Sequence, residues 1–431
     1  MAVVILPYGR DGAMELEIPG RNLAGVLSPP PAAASTRPLE LVREALVHPV
    51  GRPRLRDLAR TRNSAAIIIS DATRPNVELW AVPAVLEELS AGGITLDRVV
   101  FAVGTGFHRP ATKDELAQKL GVSLAAGARI VNHQALESPV ELVGRTAAGV
   151  PALINKEVMA AELKVAIGTV LPHPFAGYSG GGKAVSVGVA GRDTIAATHT
   201  PAMVEHAATG LGRIEGNPFY ETSLEIARMV ELDFIVNATV TPDGALVCVS
   251  AGEVEAAHRA LVESSADSMF KVAFDEPADV VIVCSGHPKD GNLYHVAAEG
   301  ICVVAGDANP TSCVVDGGTI IAVSPMEEGI YNRAFHSELS TAEQASDTVA
   351  RLRTATITEP GQHRAFGLAK ILAGHEVIVA QSRMSPETVR AAKMTPLGTA
   401  QEALSYALAK HGAGASVMVV RNSHRLIPIQ T

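Results

Sequence analysis

Nowhere in its 431 residues does the chain hold an apolar run long enough to cross a bilayer, which argues against a membrane partner. Its amino end, MAVVILPYGRDG, lacks the basic segment and cleavable apolar stretch of a secretory leader, so a cytoplasmic protein is expected. Basic residues are in the minority, 36 Lys and Arg against 45 Asp and Glu, and the net charge of −9 leaves no basic block to neutralise the phosphates of a nucleic acid. The four cysteines, Cys248, Cys284, Cys302 and Cys313, form no C-x-x-C pair and read as reduced core thiols. Neither H-E-x-x-H nor any other zinc-site spacing is present, so a metal held by protein ligands alone is not expected. What remains is 47% hydrophobic and only 19% charged, the composition of a chain able to bury large cores.

Apolar runs of strand length recur at AAIIIS (65–70), RVVFAV (98–103), KVAIGTV (164–170), DVVIVC (279–284), TIIAVS (319–324), EVIVAQ (376–381) and SVMVV (416–420). Helical segments such as NVELWAVPAVLEELSAGG and KDELAQKLG lie between most of them. This alternation predicts an α/β fold with mainly parallel, doubly covered sheets. The length calls for two domains. A break between Ser264 and Asp279, after the hairpin-like FIVNATVTPDGALVCVSAGE, divides the chain into 1–270 and 271–431. Before this, a β-rich entry is followed by the Pro/Ala linker LSPPPAAASTRP.

The densest chemistry lies in Leu171-Pro-His173-Pro-Phe-Ala-Gly177-Tyr-Ser179-Gly180-Gly181-Gly182-Lys183. From Gly177 the spacing satisfies G-x-x-x-x-G-K, in which glycines let backbone N–H groups converge on a phosphate. The next residue is Ala184, where a nucleoside triphosphatase needs Ser or Thr to hold Mg²⁺. A phosphate-sized nest beside an amine therefore suggests a bound phosphorylated cofactor rather than ATP turnover. The same segment matches G-x-S-x-G at Ser179, but Pro172 and Pro174 separate it from the strand, which is the wrong setting for a nucleophile.

Two other strands end in polar clusters, and open α/β sheets bind ligands beyond the carboxyl ends of their strands. Asp71-Ala-Thr73-Arg74-Pro75 admits two readings, a helix cap or a ligand-facing group, and the guanidinium of Arg74 suits a carboxylate or phosphate. His108 follows Gly-Thr-Gly at the tip of a βα loop. With His173 at the corresponding end of another strand, the two imidazoles could face opposite sides of one substrate. His199 lies in a helix-like segment, with His206 seven residues on along roughly the same face, and is either a metal ligand or a buried hydrogen-bonded group.

Together these motifs, with Pro288-Lys-Asp-Gly-Asn-Leu-Tyr294, resemble the nickel-pincer lactate racemase family over almost the whole chain. The resemblance implies a racemase or epimerase of a 2-hydroxy acid, with the active site in the cleft between the domains. The cofactor it implies is a pyridinium-3-thioamide-5-thiocarboxylic acid mononucleotide, the nickel-pincer nucleotide, covalently attached to Lys183. His199 would bind the nickel, with Ser179 and glycines 180–182 near the phosphate. His108 and His173 would be the paired acid/base residues, Arg74 would orient the substrate carboxylate, and Asp71 and Thr73 would support the cofactor or the arginine. Tyr294 would approach from the second domain, which closes over the substrate. Cofactor-making proteins would be needed for maturation, and an oligomer is open.

One departure concerns the substrate. Lactate-active members of the family follow that tyrosine with a glutamine and, three residues later, a lysine; this chain has His295 and Ala298. Another 2-hydroxy acid thus competes with lactate. Two alternatives come from other classes: a non-catalytic nucleotide or phosphate binder using the glycine nest, and a phosphate-loop hydrolase, already weakened by Ala184.

Overall fold

The β-branched runs build two sheets. In the computed structural model, which describes residues 1–10, 12–307, 311–359 and 361–431, Ile67, Ile68 and Ile69 are at most 1% exposed, as a strand covered on both faces requires. The first sheet runs, in spatial order, Leu246–Gly252, Phe234–Val240, Leu163–Thr169, Ala65–Ser70, Val99–Gly104 and Arg129–Asn132. All pairings are parallel except the hairpin of Phe234–Val240 with Leu246–Gly252 at one edge. The second sheet runs Thr395–Leu397, Glu376–Ala380, Val314–Val323, Ala278–Cys284, Val417–Arg421 and Leu23–Leu27, parallel throughout. The expected α/β architecture with mainly parallel sheets is what the chain adopts.

Helices cover both sheets and start where local chemistry dictates. Thr112 and Glu115 form a reciprocal capping box at the head of Lys113–Leu120. Asn217, followed by Pro218, caps Pro218–Val230 with its side-chain oxygen on the Phe219 and Tyr220 N–H groups.

The division at 1–270 and 271–431 needs correction at its amino end. Leu23–Leu27 is the edge strand of the second sheet, beside Val417–Arg421. The hairpin Ala2–Tyr8 with Gly12–Ile18 buries Leu6, Leu16 and Ile18 against Val280, Ile282 and Ile378 of that same sheet. Two short strands cannot bury an apolar face alone, so they take cover where a ready-made sheet offers it. The Pro/Ala linker then carries the chain across to the first sheet.

A second correction concerns His199. The helix Arg192–Thr198 ends just before it, and Thr200 caps a new helix, Pro201–Val204. The bend at this Thr-Pro start places His206 on an exposed turn rather than on a shared face with the buried His199. Among the described residues no helix is long and apolar enough to cross a membrane.

Candidate active site

Three neighbouring strands of the first sheet, Leu163–Thr169, Ala65–Ser70 and Val99–Gly104, run parallel, so the polar clusters after them open on one edge. A cavity of about 140 Å³ lies over this edge. Arg74, His108, His173, Lys183 and His199 stand in its wall, and Tyr294, His363 and Arg364 are contributed by the second half of the chain.

Asp71 is committed to His108. One carboxylate oxygen accepts the Thr73 N–H at 2.7 Å, and the other faces His108 Nδ1 at 2.8 Å. Burial pushes the Asp71 carboxyl up, but His108, Arg74 and Thr73 outweigh it and hold the group well below the usual carboxylate range. An ionised Asp71 fixes the proton of neutral His108 on Nδ1, leaving Nε2 as a lone pair. Burial lowers the His108 pKa against the pull of Asp71. The sequence offered Asp71 and Thr73 as a helix cap or as supports for cofactor or arginine; here both serve His108, with Thr73 Oγ1 3.4 Å from Nδ1. The helix that follows starts only at Glu78. Arg74 makes no ion pair among the described residues, which leaves its guanidinium available to an anion.

His173 is held in the opposite state. Its Nδ1 accepts the backbone N–H groups of Phe175 and Ala176, at 3.2 and 3.1 Å, so the ring proton sits on Nε2. That Nε2 is 2.9 Å from Lys183 Nζ. An Nε2–H needs an acceptor, and a lysine nitrogen accepts only as a neutral amine. The electrostatics agree: burial first, then the cations Arg74 and Arg364, drive the Lys183 pKa well below its ordinary value. Burial and Lys183 do the same to His173. Lys183 is therefore a desolvated, nucleophilic amine.

His199 Nδ1 faces the Ile195 carbonyl at 2.7 Å and Thr198 Oγ1 at 3.0 Å, so Nδ1–H donates to the carbonyl and Nε2 carries the free lone pair. This is the orientation of a metal-ligating imidazole, and burial holding its pKa at about 3 keeps the ring neutral, as a ligand must be. Among the described residues no group of three or more His, Cys, Asp and Glu could hold a metal, so further ligands would have to come from a bound group. The neutral amine of Lys183 and the lone pair of His199 fit the tethered nickel nucleotide that the resemblance implies.

The glycine run fits it less directly. Gly180 lines the cavity, but a Cβ on Gly181 would meet the His258 ring at 3.1 Å and one on Gly182 the Ser223 carbonyl oxygen at 2.6 Å. Those two glycines are required by packing against helices behind the turn, not by an open cradle. Ser179 also lines the cavity, yet its hydroxyl donates to the Thr169 carbonyl at 2.7 Å and accepts the Leu171 N–H at 3.0 Å, which rules out a free nucleophile there. The five residues after Lys183, Ala184–Gly188, form a π-helical turn, a distortion often found at functional sites.

Family models for the lactate racemase N-terminal domain and the lactate racemase C-terminal domain match residues 8–212 and 274–427. A lactate racemase of Thermoanaerobacterium thermosaccharolyticum is 32% identical over 413 residues, covering 94% of each protein. The chain belongs to the lactate racemase family. A second lactate racemase, from Lactiplantibacillus plantarum, is 30% identical over 427 residues, 97% of this chain and 98% of its own. The solved lactate racemase apoprotein of T. thermosaccharolyticum superposes with a TM-score of 0.89 at 28% identity, covering both chains completely. A Thermotoga maritima protein at 14% identity and a TM-score of 0.67, covering 89% of this chain and 100% of its own, shares the fold.

The second half of the chain also brings to or beside this cavity residues that the sequence did not single out. His363 packs its ring 4.5 Å from that of His199, and Arg364 lies 4.0 Å over the Tyr294 ring. Tyr331 stacks on Tyr294 at 6.0 Å, and its hydroxyl accepts the Arg109 N–H from the first half at 3.2 Å. Tyr331 adopts a left-handed φ of 61°, a strained backbone that often marks functional positions. The sequence signal for His363 was the Gly361-Gln-His-Arg opening of the helix Gln362–Leu372. His295, expected to touch substrate, is absent from the wall of the main cavity but sits edge-on to His108 at 5.2 Å.

Proposed function

We propose that this chain racemises a 2-hydroxy acid, lactate or a related 2-hydroxy carboxylate, using a nickel-pincer nucleotide tethered to Lys183. The observation that carries the reading is the convergence on one cavity of two neutral histidines in different tautomers beside a neutral amine: His108 carries a lone pair on Nε2, while His173 gives its Nε2–H to Lys183. When bound, the nucleotide supplies a hydride acceptor and the nickel that His199 would ligate. The protein's own residues do the rest. Arg74, without an ion pair among the described residues, would take the substrate carboxylate and turn the hydroxyl toward a histidine. His108 would remove the hydroxyl proton, with Asp71 stabilising the resulting imidazolium. A 2-keto acid so formed would be reduced on its other face, with a proton returned to the oxygen by His173 in its imidazolium form, the extra proton having been taken up from solvent, since the neutral ring has none it can give. Tyr294 and Arg364, reaching over from the second half, would exclude water and retain the keto acid. A neutral amine facing His173, followed by Ala184, supports this reading over a phosphate-loop hydrolase. The unit built on the first sheet would carry cofactor and catalysis, and the unit built on the second sheet, residues 271–431 together with the strands of residues 2–27, would provide closure.

The test is a chiral assay of the cofactor-loaded protein against a panel of 2-hydroxy acids, run across pH. Interconversion of at least one acid is expected. In the direction where His108 is the base, kcat/KM should fall as pH drops through the His108 pKa, because only the neutral ring accepts a proton. Since burial lowers that pKa from the ordinary 6.5, the acid limb should lie below pH 6.5. A limb above it would remove His108 from the role of base.

A further inference from the structure

The imidazole that would hold nickel has a second imidazole beside it. His199 is wedged between two phenyl rings that meet it nearly edge-on, Phe219 at 4.9 Å and Phe175 at 5.8 Å. A third ring, His363, is nearer still, its centroid 4.5 Å away and its plane tilted by 51°. His363 enters from the second half of the chain on the first turn of the helix Gln362–Leu372, and the residues on either side of it are pinned. The Gln362 side-chain oxygen accepts the Thr358 and Glu359 N–H groups at 2.8 and 2.9 Å, and its amide donates to Glu338 at 2.8 Å. On the other side, Arg364 Nη1 donates to the Tyr294 carbonyl at 3.1 Å. The His363 ring itself is 4% exposed, stands in the wall of the main cavity and makes no hydrogen bond among the described residues.

A ring that only packed here would be better served by a phenyl group, as at Phe175 and Phe219, because a buried imidazole gives up its hydrogen bonds to water. In either tautomer a neutral His363 carries one lone pair. The spacing suits a shared ion. With metal–nitrogen bonds of about 2.1 Å each ring centroid lies about 3.2 Å from the metal, and two imidazoles bound at right angles stand roughly 4.5 Å apart.

We propose that His363 is a second protein ligand to the nickel, joining His199 from the other half of the chain. This rests on the racemase reading and deepens it, by naming the residue through which the second half touches the metal. The two ligands differ in how they are held. His199 is backed through Nδ1 by the Ile195 carbonyl and Thr198, whereas His363 has no such partner, so it is the weaker and more labile of the pair. Withdrawal of the second half removes it, which ties the coordination of the metal to closure over the substrate.

The test uses the cofactor-loaded protein, as wild type and as His363→Phe, which keeps a ring and loses the nitrogens. Metal analysis first establishes whether nickel is present. X-ray absorption at the nickel edge should then fit two imidazoles in the wild type and one in the variant. The edge shoulder that marks planar four-coordinate nickel should be weak in the wild type and strong in the variant. Challenged with EDTA, the variant should lose its nickel about tenfold faster or more. A wild-type spectrum with a single imidazole and a strong shoulder overturns the proposal by itself, so misfolding of His363→Phe cannot shield it. A raised KM in His363→Phe with an unchanged nickel spectrum also overturns it, by setting the ring against substrate instead of metal. Loaded wild type that holds no nickel would strike the function on which the proposal rests.

Discussion

Lys183→Ala is expected to abolish covalent loading and racemisation together. The amine that would form the bond is neutral in the free protein, because His173, held as a donor by two backbone N–H groups, needs an acceptor at 2.9 Å. Burial and the neighbouring cations remove the proton that would otherwise block nucleophilic attack. Lys183→Arg should fail equally, since a guanidinium stays protonated. Intact-mass analysis of protein made alongside the cofactor-producing enzymes checks this: the wild type should carry an adduct and both variants none. An adduct that persisted in Lys183→Ala would move the tether elsewhere.

The second large effect is expected at His108. Replacing it with alanine should lower kcat by ~10²–10⁴-fold, the usual contribution of a positioned acid or base, while leaving the adduct in place because the hydrogen-bond partner of Lys183 is His173 and those of His108 are Asp71 and Thr73. Asp71→Asn should also lower activity, since its amide can present an N–H to Nδ1 and push the proton to Nε2, where the lone pair is needed. The two single losses should not add, because Asp71 acts through His108. Chiral chromatography of the loaded variants reads all three. His173→Ala is a less clean probe, since it also removes the acceptor geometry that marks Lys183 as a neutral amine.

The first half of this site was legible in the sequence because its parts are local. Each strand run is followed within a few residues by its polar cluster, and adjacent parallel strands bring such clusters to one edge. Arg74, His108 and His173 were reachable in this way and Lys183 through the glycine loop, whereas His199, after the helix Arg192–Thr198, stood open between a metal ligand and a buried group. The second half was not. His363 and Arg364 lie far along the chain from Tyr294, and only tertiary packing brings them to the cavity, with Tyr331 stacked behind Tyr294. The triple glycine misled in a specific respect, since Gly182 completes a phosphate-loop spacing with Gly177 and Lys183, yet Gly181 and Gly182 answer to the His258 ring and the Ser223 carbonyl. The first strands misled likewise, because strand pairing is long-range and nothing in Leu23–Leu27 states which sheet it will join.

Under the proposed function, configuration is inverted by moving a hydride, not by pulling off a Cα proton. Incubating the loaded protein with one enantiomer of lactate, or of the best acid in the panel, in D₂O and analysing the product enantiomer by NMR and mass spectrometry tests this most directly. A transferred hydride never exchanges with solvent, so the account predicts that the opposite enantiomer accumulates with protium at Cα. Deuterium at Cα of the product would contradict it.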